Sequence, residues 1–213
     1  IKWTFDINEW CGRDTLSKCV FPTKVDIAKA VHAGEYFIAL DFSAYYDQFE
    51  LSEAVGSRMC FAWNKRLFRL RTLPMGQRQA VGIANAATQR LLDFPKRSRL
   101  HMSIIDNVIF IGDRDAVIED AWTFIQRCKT VFAVLNEINV QTATRDDVAK
   151  LATQRGDWGG IHIDLVDKTV ALTEKCIQKT LLSWNRRAKW QWRDYAAHMG
   201  LLFYAMQVIS VPV

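Results

Sequence analysis

The chain of 213 residues has no CxxC pair and no closely spaced pair of histidines, and its five cysteines (11, 19, 60, 128 and 176) are an odd number. The two absences exclude the usual zinc-binding spacings and the odd count argues against a disulfide scaffold, so the cysteines read as reduced, partly buried thiols. A membrane-length apolar run is also missing. The uncharged C-terminal stretch, 196–213, is interrupted by His198, Gln207 and Ser210 and ends near Pro212, which is not the pattern of a spanning helix. No signal peptide is legible, and a chain that opens on Ile1 reads as a fragment. There is no internal repeat and no low-complexity linker. What is present is apolar and basic: half the residues are hydrophobic and 12% are aromatic, enough for a substantial core in one large domain or two closely packed subdomains. The net charge of +5 is modest, so its grouping matters more than its size for binding a polyanion.

Three short segments carry the chemistry. FIALDFSAYYDQ, 37–48, ends an apolar run on Asp41; LPMGQRQA, 73–80, is a turn leading into helix-forming residues; SIIDNVIFIG, 103–112, places Asp106 and Asn107 between two apolar runs. An aspartate at the end of a strand is commonly a capping or turn residue, and Asp41 alone would read that way. Asp106 is surrounded by apolar residues, where an uncompensated charge costs several kcal/mol. The Asp-Asn pair between apolar runs reads as a tight hairpin.

Periodicity gives an alternating α and β order. It predicts a helix over 24–33 stopped by Gly34, a strand over 36–40 that delivers Asp41, a short helix from about 52, and a hairpin around Asn64–Lys65–Arg66. A helix over 80–92 follows, with Val81, Ala84, Thr88 and Leu91 on one face. Then come a hairpin over 100–112, a long helix over 115–136, a strand over 138–144, a helical stretch over 145–155, a hairpin around 158–165, and helices over 172–184 and 193–208.

At these segments the chain resembles the palm and the beginning of the thumb of a retroelement reverse transcriptase, of the long-terminal-repeat or tyrosine-recombinase group. KWTFDIN, 2–8, is similar to the family's basic-x-x-x-Asp segment; FPTK, 21–24, and VHAGEYF, 31–37, resemble the approach to the first catalytic strand. DFSAYYDQF, 41–49, matches motif A, LPMG, 73–76, matches motif B, and IIDN, 104–107, stands where the family has Tyr-x-Asp-Asp. WGG, 158–160, resembles the primer-grip hairpin and MGLLFYA, 199–205, the thumb helix. Where the family has Tyr, second Asp, Pro and Gln, this chain has Ile104, Asn107, Val81 and Asn85, and the motif D lysine has no clear counterpart.

The resemblance implies an α+β fold: a polymerase palm, with a ferredoxin-like antiparallel sheet and helices on one face, followed by a helical thumb start. Residues 1–178 would be palm with partial fingers elements and 179–213 the beginning of the thumb. It implies an RNA-directed DNA polymerase using two Mg²⁺ ions, with Mn²⁺ as a substitute, and acting on an RNA template, a DNA or RNA primer and dNTPs. Asp41 and Asp106 would be catalytic. The metal ligands would be these two, the Phe42 carbonyl and Asn107, which offers only a neutral oxygen. Lys2, Tyr46, Met75 and Gly76 would meet the nucleotide, Tyr46 as a steric gate against a 2′-hydroxyl.

Trp158, Gly159, Arg186, Arg187, Lys189 and Trp190 would meet primer and template. The last four belong to SWNRRAKWQWR, 183–193, where cations and aromatics interleave as in backbone-tracking surfaces, or where tryptophans simply anchor the next helix. KRSR, 96–99, and RLFRLR, 66–71, add basic surface, the second reading as three arginines on one strand face. A soluble chain in nucleus or cytoplasm, carved from a larger polyprotein, is expected. RNase H, integrase and recombinase regions are not seen, and the fingers are largely absent. A second reading of the same residues is a degenerate or domesticated reverse-transcriptase-like domain serving as an RNA-binding or scaffold module, and a third, a generic RNA-recognition ferredoxin-like domain, explains the alternating order but not the three segments together.

Overall fold

A computed structural model of the chain describes residues 19, 21–185 and 192–209. Its centre is an antiparallel sheet of three strands, β1 (Tyr36–Asp41), β4 (Leu100–Ile104) and β5 (Asn107–Gly112), in the order β1-β5-β4. The strands are almost wholly apolar because both faces are covered, and the twofold alternation of side chains divides them. Ile38, Leu40, Phe42, Val108 and Phe110 point to one core, and Phe37, Ile109 and Ile111 to the other.

The first core is closed by α3 (Ala80–Leu91) and α4 (Arg114–Thr130), which contribute Ala84, Val117, Ala121, Phe124 and Ile125. The second is closed by α1 (Lys24–Ala33), through Ala30 and Val31, and by Trp158, Ile161 and Ile163 of a second antiparallel sheet. That sheet is β6 (Arg155–Trp158), β7 (Ile161–Asp164) and β8 (Thr169–Leu172). The helix α1 starts with a capping box, Thr23 and Asp26 satisfying each other's backbone N–H groups. It stops at Gly34, where an added Cβ would collide with the Ile111 side chain.

Between β1 and α3 lie a 3₁₀ turn (Tyr45–Gln48), α2 (Glu53–Gly56) and the hairpin β2 (Cys60–Trp63) and β3 (Arg66–Arg69). Asn64 and Lys65 both take positive φ, 46° and 59°, as the favoured two-residue hairpin turn requires. Arg66 and Arg69 are three residues apart on β3 and so lie on opposite faces, which corrects the single arginine face expected of 66–71; Arg69 pairs with Glu53 at 3.0 Å.

Other expectations change as well: the helix expected over 115–136 ends at Thr130, and the one over 145–155 ends at Lys150. The buried face of α3 is Ala80, Ala84, Asn85 and Thr88, and Val81 is exposed. Residues 138–144 form turns, not a strand, because Asn139 accepts from the Gln141 N–H with its side chain and from Thr142 and Ala143 with its carbonyl. The strand β8 extends the expected hairpin to three strands. The last elements are α5 (Arg145–Lys150), α6 (Glu174–Asn185) and α7 (Trp192–Ile209), and the expected boundary at 178/179 falls inside α6. Among the described residues Cys19, Cys60, Cys128 and Cys176 are free, Cys60 exposed and Cys128 buried. No helix among them is long and apolar enough to cross a membrane.

Candidate active site

The two aspartates meet because of strand register. β1 and β5 pair so that Asp41 stands opposite Asn107, and β4 and β5 are joined by a two-residue turn, Ile105–Asp106, between Ile104 and Asn107. Asp106 therefore sits at the tip of the hairpin beside the end of β1, and the Phe42 N–H donates to the Asp106 carbonyl at 3.1 Å. Phe42 itself turns its ring into the core, stacked on Tyr45 with centroids 4.2 Å apart.

The tip is strained and braced. Ile105 has φ +56°, a left-handed conformation that is uncommon for a β-branched residue and persists only where surroundings impose it. The Thr88 hydroxyl donates to the Ile105 carbonyl at 2.5 Å, and the Tyr45 hydroxyl lies 2.8 Å from Thr88. A buried chain of hydroxyls thus ties the 3₁₀ turn and α3 to the turn that carries Asp106. Burial pushes the Tyr45 phenol up to about 12, keeping it protonated as a donor.

The electrostatics around Asp41 are unfavourable for a bare carboxylate. Burial, then the negative charges of Asp106 and Glu137, raise its pKa, while a hydrogen bond from Asn136 lowers it. Asn136 Nδ2 donates to Asp41 Oδ2 at 2.8 Å, but Oδ1 is buried with no partner among the described residues. Asn107 Nδ2 donates to Asp106 Oδ1 at 3.2 Å, so Asn107 presents a donor to its neighbour. No group of three His, Cys, Asp or Glu side chains among the described residues is arranged to hold a metal ion. The available donor set is two carboxylates and backbone oxygen, which suits Mg²⁺ held partly by substrate phosphates and water and does not suit a closed protein cage. An orphaned carboxylate oxygen next to a second acid is the feature that fits such a cation.

The other expected residues fall into three groups. Tyr46 is part-buried, and burial, then the charge of Asp106, raises its pKa. Trp158 is buried and Gly159 and Gly160 take φ +57° and +89°, forming the hairpin turn between β6 and β7; Gly159 lies against Ile104, the residue that ends β4. Met75 is exposed and Gly76 has φ +93° in the Pro74–Gln77 turn that leads into α3. Lys2, Arg186, Arg187, Lys189 and Trp190 lie outside the described residues. Sequence reasoning missed Thr88, Asn136 and Glu137. A threonine inside a helix gives no local sign of its partner, and the Asn-Glu pair reads as the end of the helix expected over 115–136, whereas α4 stops at Thr130.

No family model and no curated protein matches the sequence. Solved structures do match. The foamy viral protease-reverse transcriptase in complex with double-stranded DNA aligns with a TM-score of 0.62 at 13% identity, over 95% of this chain and 32% of that one. A second structure of that protein with double-stranded DNA gives 0.57 at 13% identity, over 90% and 37%. One with an RNA/DNA hybrid gives 0.56 at 11%, over 88% and 24%. The chain has a reverse-transcriptase-like fold, of the palm-like α+β kind, and spans little more than a third, or less, of the structures it matches.

Proposed function

We propose that the chain is the palm, with the beginning of the thumb, of a retroelement reverse transcriptase of the long-terminal-repeat or tyrosine-recombinase type. Its reaction would be RNA-directed extension of a primer 3′-hydroxyl with dNTPs. The observation that carries this reading is the strand register that sets Asp41 beside the Asp106 hairpin with one buried carboxylate oxygen unpartnered. The foamy viral structures hold double-stranded DNA and an RNA/DNA hybrid, which supports nucleic acid as the partner here.

Asp41, Asp106 and the Phe42 carbonyl would hold two Mg²⁺ ions, for which Mn²⁺ would substitute. When bound, such ions activate the attacking oxygen and stabilise the leaving pyrophosphate. The chain's own residues position. The hydroxyl chain from Tyr45 through Thr88 holds the Ile105–Asp106 turn, Tyr46 would close the space at the sugar 2′ position, and Trp158–Gly159 would seat the primer end beside Ile104. Met75 and Gly76 would line the nucleotide side.

A second reading, a decayed polymerase kept as an RNA-binding or scaffold module, is favoured by one observation: Asn107 donates to Asp106 where the family has a second acid. Primer extension on an RNA template in Mg²⁺ or Mn²⁺ separates the two. The polymerase reading expects slow incorporation by the native chain, a loss of about a hundredfold or more in Asp106→Asn, and equal or faster extension in Asn107→Asp. Silence of the native chain with gain in Asn107→Asp means decay. Silence of every version, with the chain placed in its longer parent, would end the enzyme reading.

A further inference from the structure

We propose that Asn136 and Glu137 are positioning residues for Asp41, fixing its backbone and one carboxylate oxygen so that Oδ1 is left as the donor atom for a divalent cation. The proposal rests on the reading of Asp41 and Asp106 as cation ligands.

The residues after α4 return along the outer edge of β1. Ser43 N–H donates to the Val134 carbonyl at 3.0 Å, Gln48 Nε2 donates to the same oxygen at 3.0 Å, and the Val134 N–H donates to Gln48 Oε1 at 2.9 Å. Leu135 bridges to Phe42. This strap thus continues the sheet beyond β1 at the point where β1 itself ends. Its next two residues close on Asp41 from three directions. The Asn136 N–H donates to the Asp41 carbonyl at 2.9 Å, Asn136 Nδ2 donates to Oδ2 at 2.8 Å, and the Asp41 N–H donates to Glu137 Oε2 at 2.9 Å.

An aspartate at a strand end has a mobile carboxylate, and a ligand that must first be ordered binds its ion less well. Here β5 holds Asp41 on one side and the strap on the other. Asn136 takes Oδ2 and leaves Oδ1, the buried oxygen without a partner, on a carboxylate already facing the charge of Asp106. A donor that occupies one oxygen of a ligating carboxylate selects which oxygen meets the metal, the role that outer hydrogen bonds play at metal sites generally. Glu137 acts through the backbone: its carboxylate accepts the N–H of Asp41 and sets the end of the strand.

The test is Mn²⁺ binding to the full chain, read by electron paramagnetic resonance of the free ion, with the melting temperature measured alongside. Asn136→Ala is expected to weaken binding about tenfold while shifting the melting temperature little, because the side chain is exposed; Asn136→Ser, too short to keep the bond, should match it. Glu137→Gln, which keeps an oxygen to accept the Asp41 N–H, should stay within about threefold of native, and Glu137→Ala should not. Native affinity in both Asn136 variants would overturn the inference while leaving the site reading intact, provided Asp41→Asn loses binding. Glutamine as poor as alanine at 137 would remove the role of Glu137. If Asp41→Asn binds like the native chain, the site reading itself falls and takes the inference with it.

Discussion

Asp41 and Asp120 are two aspartates set against the same core, and the fold treats them in opposite ways. Asp120, on α4 and almost fully buried, is saturated: it accepts from the Arg97 N–H at 2.9 and 3.0 Å, from the Ser98 N–H at 2.8 Å and from the Ser98 hydroxyl at 2.5 Å. Asp41 has one side-chain donor, one orphaned oxygen and a second acid beside it. Buried acids that serve structure are given donors for their lone pairs. An acid left short of donors next to a like charge is a candidate functional site.

The contrast can be broken most visibly at Asp120. Asp120→Ala strands two backbone N–H groups and a hydroxyl, and is expected to cost about 3 kcal/mol in urea denaturation; a loss under about 1 kcal/mol would show that its bonds are not structural. The opposite sign and a smaller size are expected at Asp41. In EDTA, Asp41→Asn should raise the melting temperature near pH 7, by roughly 2 °C once solvent screening is allowed for.

The pH dependence follows from the sign of the shift. A carboxyl whose folded pKa is raised destabilises the native state while charged, and is relieved as pH falls through that raised value. The gap between variant and native should therefore close on acidification. Asp147 and Asp164 behave the other way. Lys150 and Thr144 hold the first below the usual carboxylate range, and the backbone N–H of Asp167, with Arg155, holds the second. Their contribution is present above the unfolded value and lost as pH falls through the folded one. A variant at 41 that is less stable than native at pH 7 would contradict the comparison.

Much of this was legible in the sequence because it is local. The apolar runs 36–40 and 107–112 announce two strands that end near an acid, and the segment 158–165 announces a hairpin; the turn at Ile105–Asp106 falls one residue before the expected Asp106–Asn107 tip, because Asn107 is already paired with Ile104. What stayed hidden depends on long-range pairing. The strap that braces Asp41 lies 95 residues away, and nothing in Asn136 or Glu137 advertises a strand edge as its partner. Asp120 reads as one more polar residue on an amphipathic helix until the loop at 97–98 is seen to close on it. The stretch 138–144 misleads for a different reason: Val140 and the threonines suggest a strand, and the Asn139 side chain overrides them with a turn.

The central claim, that the Asp41–Asp106 corner is built for a divalent cation, is tested most directly by anomalous scattering from crystals of the chain soaked in Mn²⁺. A peak in contact with Asp41 Oδ1 and Asp106, absent in Asp41→Asn, is the predicted result. Empty density at that corner in crystals that bind Mn²⁺ elsewhere would contradict it.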